Sequence, residues 1–460
     1  MDETYDVIVV GGGAGGVAAA LRAAQLGGKV AVVEEKHLGG LCMNRGCVPF
    51  GHMMLASHFL GDFALAKEMG IVCAEVSKDL AVLLSRQHEL IAFMQQGVKT
   101  MLNKRRVNLV MGKGKLSGVG RVEVKGKTLE GKSIILASGG RWMKPQFEGS
   151  DLPNVVNSDY LLTAKTLPKR CLVYGGGPWS LEIAQFLNRY GSQVWLASPE
   201  ENLLVGESKT IRSRLTKALQ SQGIMVLSGA EVLSLKKNGA GVVALTTVKG
   251  QEEILEVDLI ITLRRGAALK GLGLETLEMN ETAEFLSVNE RMETGVKGLY
   301  AIGDLTSLEN RQYSHLASCG GFVAAENSMG FSRSLDERTL TRIVFTKPQV
   351  ACVGLTGKEA KERNYEVVIG SAPLSMNAFG MMAAQTEGIV EIVAEKRYGQ
   401  ILGIHMIGDG ACEMAGQSVL AVQQEMTLDE MAQTTFPHPT LSESIAEAAR
   451  DALGIPIYLP

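Results

Sequence analysis

The sequence predicts an α/β fold: two copies of a strand–glycine loop–helix–strand unit, followed by a C-terminal α+β domain. Three observations carry this. The first unit runs over residues 5–35, where the apolar run Tyr5-Asp6-Val7-Ile8-Val9-Val10 meets Gly11-Gly12-Gly13-Ala14-Gly15-Gly16. The second, over residues 170–198, repeats the plan as Cys171-Leu172-Val173-Tyr174 followed by Gly175-Gly176-Gly177-Pro178-Trp179-Ser180. From about residue 340 the texture changes to alternating segments such as Gly388-Ile389-Val390-Glu391-Ile392-Val393, which suit strands of a mixed domain.

Each part of the first unit has a physical reason. Gly11 makes a tight turn, Gly13 lets the backbone approach a pyrophosphate, and Gly16 allows close helix–strand packing. The pyrophosphate rests on the N-terminus of the alanine-rich helix. The second strand, Val30-Ala31-Val32-Val33, ends at Glu34, placed to accept hydrogen bonds from a ribose. Strand, loop, helix, strand and acid in this order mark a Rossmann-like dinucleotide site.

The second unit can be compared with the first inside the one chain. Its turn, Gly175 and Gly177, is kept. Ser180 stands in place of the third glycine, and Ser198 stands where the first unit has Glu34. A hydroxyl bonds a ribose more weakly than a carboxylate does, so this is the weaker nucleotide site. Further on, Leu299-Tyr300-Ala301-Ile302-Gly303-Asp304 reads as a short apolar strand ending in Gly-Asp.

Composition narrows the class. A chain of 460 residues has room for two to four domains. Its net charge of −3 and lack of a basic stripe exclude nucleic acid and anionic membrane as expected partners. The acidic start Met1-Asp2-Glu3-Thr4 lacks the positive charge of a signal peptide. The apolar stretch Val7 to Leu21 is cut by glycines and too short for a span. An odd count of seven scattered cysteines suits a reducing cytoplasm, the expected location.

Two cysteines stand apart from the rest. Cys42 and Cys47 lie just past the first unit, in Gly39-Gly40-Leu41-Cys42-Met43-Asn44-Arg45-Gly46-Cys47-Val48-Pro49. A close pair in a cytoplasmic chain is catalytic or metal-binding before it is structural. Zinc shared with His52 and Cys73 is the alternative, disfavoured because no second close pair exists. No metal is expected. Cys73, Cys171, Cys319, Cys352 and Cys412 read as small buried hydrophobes.

With these motifs in hand, the chain resembles the FAD-dependent pyridine nucleotide–disulfide oxidoreductases, most nearly the dihydrolipoamide-oxidising members. The resemblance rests on Gly11–Glu34, Cys42–Cys47, Ala137-Ser138-Gly139, the Gly175 fingerprint, Ala301-Ile302-Gly303-Asp304 and His438-Pro439-Thr440-Leu441-Ser442-Glu443, in the family's order. It implies an FAD domain in two pieces (1–147 and 276–338), an inserted NAD-binding-like domain (148–275) and a dimerisation domain (339–460). FAD would contact Gly11, Gly13, Gly16, Glu34, Gly114, Ser138, Gly139 and Asp304. NAD(H) would contact Gly175, Gly177, Glu182 and Ser198.

The resemblance also assigns roles. Cys42 would meet the dithiol and Cys47 would lie nearest the flavin. His438, from the other subunit, would take the proton of Cys42, and Glu443 would orient it. A homodimer follows, with a lipoyl-carrier protein as expected substrate bearer. The chain departs from the family at Ser180 and Ser198, noted above, and at Gly51, Leu263 and Phe436. Phe50-Gly51 replaces a segment ending in the lysine that pairs with Glu182. Leu263 replaces a glycine, Phe436 a histidine, and no arginine follows Ser198 to hold the extra phosphate of NADP. The glutathione-reducing members therefore fit less well. The mercury-reducing members fit less well too, since no cysteine follows Cys412. Two rivals remain from sequence. One is a flavoprotein with an impaired nicotinamide site and a protein electron partner. The other is a non-enzymatic FAD-bound binding or assembly protein.

Overall fold

The computed structural model describes residues 4–72, 76–306 and 312–459. Cys73, read from the sequence as a buried hydrophobe or an alternative zinc ligand, lies outside the described residues.

The first glycine unit builds the centre of a seven-stranded sheet. Thr4–Val10 pairs in parallel with Val30–Glu34 on one side and Lys127–Leu136 on the other. Val7, Ile8 and Val9 are 0% exposed, as expected of a strand covered on both faces. Leu299–Ala301 joins the same sheet beside Lys127–Leu136, so the chain returns to the first domain after a long excursion. The return is locked by helix packing. Ser314–Ser328 lies against Ala14–Gln25, where a Cβ on Gly321 would come 2.4 Å from the carbonyl oxygen of Gly15. Only glycine lets the two backbones meet this closely.

The excursion is a second parallel sheet. Its order is Met225–Ser228, Gln193–Ser198, Arg170–Tyr174, Leu259–Thr262, Val155–Val156. A three-stranded antiparallel sheet, Ala230–Asn238, Gly241–Val248 and Gln251–Val257, packs beside it. A two-stranded ribbon links the first and second domains: Gly140–Trp142 pairs with Arg265–Ala267.

The C-terminal domain is a five-stranded antiparallel sheet, ordered Thr341–Val344, Val350–Gly354, Ile401–Ile407, Ile389–Glu395, Val367–Pro373. Helices Ala411–Gln423 and Glu443–Leu453 cover it. The alternating segment near residue 390 is therefore a strand, though one buried along nearly its whole length.

Three long helices carried no clear mark in the sequence: Cys47–Glu68, Leu80–Lys104 and Ser314–Ser328. The expectation that the lone cysteines are all buried holds for Cys171 and Cys352. It fails for Cys319, which is exposed, and for the half-buried Cys412, whose thiol reaches the carbonyls of Val344 and Val350. Among the described residues, no helix is long and apolar enough to cross a membrane.

Candidate active site

One cavity of about 1060 Å³ runs between the two glycine loops. Gly13, Gly16, Gly139 and Asp304 line its first-domain side, and Gly175, Gly177, Glu182 and Ser198 its second-domain side. Cys42, Cys47 and Gly51 lie between them.

The residues present fit FAD on the first-domain side. The helix Ala14–Gln25 opens at Gly13 with extended backbone, no side-chain cap and no acid in its first turn. Its N–H groups are left for an anion. Gly16 cannot change, since a Cβ there would sit 1.9 Å from the carbonyl oxygen of Gly11. Glu34 is spoken for by backbone: Oε2 accepts from Gly12 N–H at 2.7 Å and Oε1 from Lys36 N–H at 2.7 Å. That network shapes the loop.

Not every residue chosen from sequence faces the cavity. Gly11, Glu34, Gly114 and Ser138 do not line it. Gly11 packs under the loop, where a Cβ would meet the Ala137 carbonyl oxygen at 2.2 Å. Gly114 makes room for Val10 and Val33. Ser138 Oγ donates to the carbonyl of Ala268 at 3.3 Å.

The cysteine pair owes its placement to two short turns. Gly39 and Gly40 take φ of 90° and 57°, a left-handed bend that starts the helix Gly40–Arg45 carrying Cys42. That helix breaks at Gly46, and Cys47 begins the 22-residue helix Cys47–Glu68. Asn44 clamps the turn by donating to Leu38 O and Gly40 O, and Gln95 donates to it in turn. Both cysteines are free thiols. Their sulfurs share a hydrogen bond, and this is the main reason that the Cys42 thiol falls to about 6 while that of Cys47 rises. Burial raises both. The helix N-terminus at Cys47 favours a thiolate there, which the hydrogen bond instead places on Cys42. The direction that stands is for the pair: its first proton leaves well below the ordinary thiol value and its second is retained.

Ser314 was not foreseen. Its hydroxyl lies 3.2 Å from Cys47 Sγ and lowers the pKa of both thiols. No spacing marks this serine in the sequence.

Asp304 is partly buried, and desolvation raises its carboxyl, an effect that its ion pair with Arg265 at 3.0 Å opposes. Arg265 in turn stacks on Trp179, 5.0 Å from the ring centre. Trp179 packs against Phe50 at 5.6 Å and Trp142 at 5.2 Å. These rings fill the junction between the second glycine loop and the cysteine helix. The serines noted above crowd the same loop. Cβ atoms on Gly175 and Gly176 would sit 2.6 Å from Ser180 Oγ and 2.5 Å from Ser198 Oγ.

With the family's lysine absent, the sequence predicts an unpaired Glu182 that tends to take up a proton; the raised carboxyl agrees, but the structure supplies a partner. Glu182 is buried, and its Oε1 accepts from the Phe345 N–H at 2.9 Å, a contact with the C-terminal domain that sequence spacing could not reveal. Burial still dominates and holds its carboxyl up at about 8, the Phe345 hydrogen bond opposing. His52 offers no compensation; its Nδ1 is buried without a partner among the described residues, and burial lowers its affinity for a proton.

A cation is missing rather than displaced, which makes a test possible. A Cβ on Gly51 would meet nothing within 4 Å. Between the unfolded value near 4.5 and about 8, the folded chain holds a proton on Glu182 that the unfolded chain releases. Glu182 therefore stabilises the fold least at high pH, and the loss develops as pH rises across that window. Gly51→Lys is expected to pair with Glu182, flatten this decline and shift the flavin potential. Thermal melts at pH 5 and 8 and a spectroelectrochemical titration check it. An unchanged slope and potential would show that the lysine does not reach.

His438 and Glu443 do not line the cavity of their own chain. They lie at the edge of the C-terminal domain, with His438 Nδ1 2.9 Å from Glu443 Oε2. Glu443 also accepts from Thr440 N–H at 3.1 Å and Asn377 Nδ2 at 3.3 Å.

Comparison with known proteins agrees with this architecture. Residues 5–321 match the pyridine nucleotide-disulphide oxidoreductase family, and residues 340–449 match its dimerisation domain. A dihydrolipoyl dehydrogenase of Thermus scotoductus is 34% identical over 97% of both chains. One of Bacillus subtilis is 32% identical over the full length of both. Two solved structures share the fold: LpdA from Mycobacterium tuberculosis, with a TM-score of 0.89 at 24% identity over 97% of this chain and 99% of that one, and the HOCl-induced flavoprotein disulfide reductase RclA from Escherichia coli, with a TM-score of 0.85 at 21% identity over 98% and 99%. The chain belongs to the pyridine nucleotide-disulphide oxidoreductase family: it is an FAD-dependent oxidoreductase enzyme that carries the family's dimerisation domain and forms a homodimer.

Proposed function

We propose that this chain, a cytoplasmic homodimer, passes electrons between a dithiol and NAD through the Cys42–Cys47 pair and FAD. The dithiol is dihydrolipoamide on a carrier protein, as the names of the similar dehydrogenases suggest. The observation that carries this reading is the cysteine pair lining one continuous cavity with both glycine loops. FAD, when bound, accepts the electron pair from the thiols and hands it on.

The chain's own residues do the rest. With the pair oxidised, a substrate thiolate attacks Cys42 Sγ, forming a mixed disulfide and releasing Cys47 as thiolate. The second substrate thiol gives its proton to His438 of the partner subunit. It then attacks the substrate sulfur and frees Cys42. Substrate leaves as a cyclic disulfide; two electrons remain on the cysteine pair. Ser314 holds the Cys47 sulfur, and Glu443 orients the imidazole so that it can accept the proton. Gly11, Gly13, Gly16, Glu34, Gly114, Ser138, Gly139 and Asp304 hold the flavin or shape its loop. Gly175, Gly177, Glu182 and Ser198 would face the nucleotide.

A second reading keeps the thiol chemistry but replaces NAD by a protein electron partner. The Trp179–Trp142–Phe50 cluster and the serines at the second loop favour it. One experiment tests both. Purified enzyme is mixed anaerobically with dihydrolipoamide and, separately, with micromolar NADH while the flavin band is followed. The first reading expects rapid bleaching by both. Bleaching by dithiol alone replaces NAD with another acceptor, and no bleaching by dithiol removes the dithiol assignment.

A further inference from the structure

Away from the redox cavity's centre, three side chains from two domains converge. Glu207 lies in the turn before the helix Lys209–Ser221. Cys352 and His405 are cross-strand neighbours in the pairing of Val350–Gly354 with Ile401–Ile407. One ligating atom from each lies within 4.8 Å of the others.

His405 supplies the telling detail. It is 0% exposed, and its Nε2 lies 3.0 Å from the carbonyl oxygen of Leu355, which fixes the proton on that nitrogen. Nδ1 is left as a lone pair, buried and, among the described residues, with no hydrogen-bond partner. An imidazole anchored through one nitrogen by a carbonyl, with the other free beside a thiol and a carboxylate, is arranged as metal-bound histidines are. A buried acceptor without a donor is otherwise costly.

Charge points the same way. Around His405 lie the carboxylates of Glu207 and Glu391, the latter its neighbour on the adjoining strand, against one guanidinium, Arg342. The formal sum is one negative charge in excess. A divalent cation with Cys352 as thiolate brings it to zero. Arg342 donates to both Glu207 oxygens, Nε at 2.5 Å and Nη2 at 3.0 Å, and the Cys352 thiol donates to the same carboxylate, a lone pair that is freed when the thiol gives up its proton. Glu207 also lines the large cavity, which gives an ion an entry path.

We propose that Glu207, Cys352 and His405 bind one zinc ion, clipping the second domain to the C-terminal sheet. A nitrogen, a sulfur and an oxygen donor suit zinc, with water as the fourth ligand. Bond lengths of about 2.0–2.3 Å hold tetrahedral donors roughly 3.3–3.8 Å apart, so donors within 4.8 Å of one another draw together by at most about 1.5 Å on binding. Cys352 releases its proton to solvent as the zinc–sulfur bond forms. The site is contrary to the expectation of no metal, which sequence spacing produced because the three ligands lie on separate elements.

The test uses FAD-loaded enzyme with the Cys42–Cys47 pair oxidised, in a Cys319→Ser background because that thiol is exposed. Cobalt(II) is added and its visible absorption followed beyond the flavin band. One saturable cobalt per subunit is expected, displaced by zinc. Cys352→Ser and His405→Gln should each weaken it by about 100-fold or more with flavin content unchanged. Since Cys352 is fully buried, zinc-edge X-ray absorption on the enzyme with Cys352 intact gives a second readout, expected to show one sulfur among the ligands. No saturable cobalt signal, unchanged affinity in both variants, or a zinc shell without sulfur would reduce the cluster to a thiol–carboxylate hydrogen bond and overturn the proposal.

Discussion

His438→Ala is expected to slow thiol exchange by roughly 100-fold or more, the usual cost of a lost general base. The surroundings of the imidazole suit this proposed role. Its Nδ1 is held 2.9 Å from Glu443 Oε2, and Glu443 is itself fixed by Thr440 N–H and Asn377 Nδ2. The ring's other nitrogen is thereby aimed outward from an exposed side chain, free to serve a neighbouring surface. Because His438 lies outside the cavity of its own chain, the substitution should leave flavin content intact. Rapid mixing of oxidised enzyme with dihydrolipoamide measures the rate. A near-wild-type rate would show that another base acts, and a loss of flavin would show that the histidine is structural.

The second large effect concerns which sulfur faces the flavin. Cys47→Ser is expected to abolish the long-wavelength absorbance of a thiolate lying against the flavin. Cys42→Ser should preserve it while stopping exchange with dithiol. Geometry within the pair explains the asymmetry: Cys42 sits in the short helix Gly40–Arg45, and Cys47 heads the long helix beside Ser314. With Cys42 gone, the hydrogen bond that drives the Cys47 thiol upward disappears. The helix N-terminus and Ser314 then favour a thiolate at Cys47. Absorbance spectra across pH 5 to 9 check this. Equal spectra for the two variants would void the assignment, and an exchange of their spectra would reverse it.

Much of the architecture was legible because it repeats. Two glycine loops with flanking strands are local signals, each contained in about thirty residues, and local geometry dictates their sequence. The alternation near residue 390 was legible for a similar reason. What escaped was long-range. Nothing near Ser314 announces that it will meet Cys47, and nothing near Glu182 announces the Phe345 N–H. The helix Ser314–Ser328 was missed because it is buried against another helix and carries no polar stripe to reveal its period. Gly51 was visible as a departure, but its meaning needed coordinates, which leave open space where a longer side chain could stand.

The role proposed for His438, which lies outside the cavity of its own chain, divides one chemical task between copies of a gene product. Two crippled alleles, one lacking Cys42 and the other His438, can thus rescue each other in a mixed pair. The first donates its base to the second's sulfurs, and one of the two centres works. Partial activity inherited from two dead parents is the outcome that the proposed role of this histidine predicts.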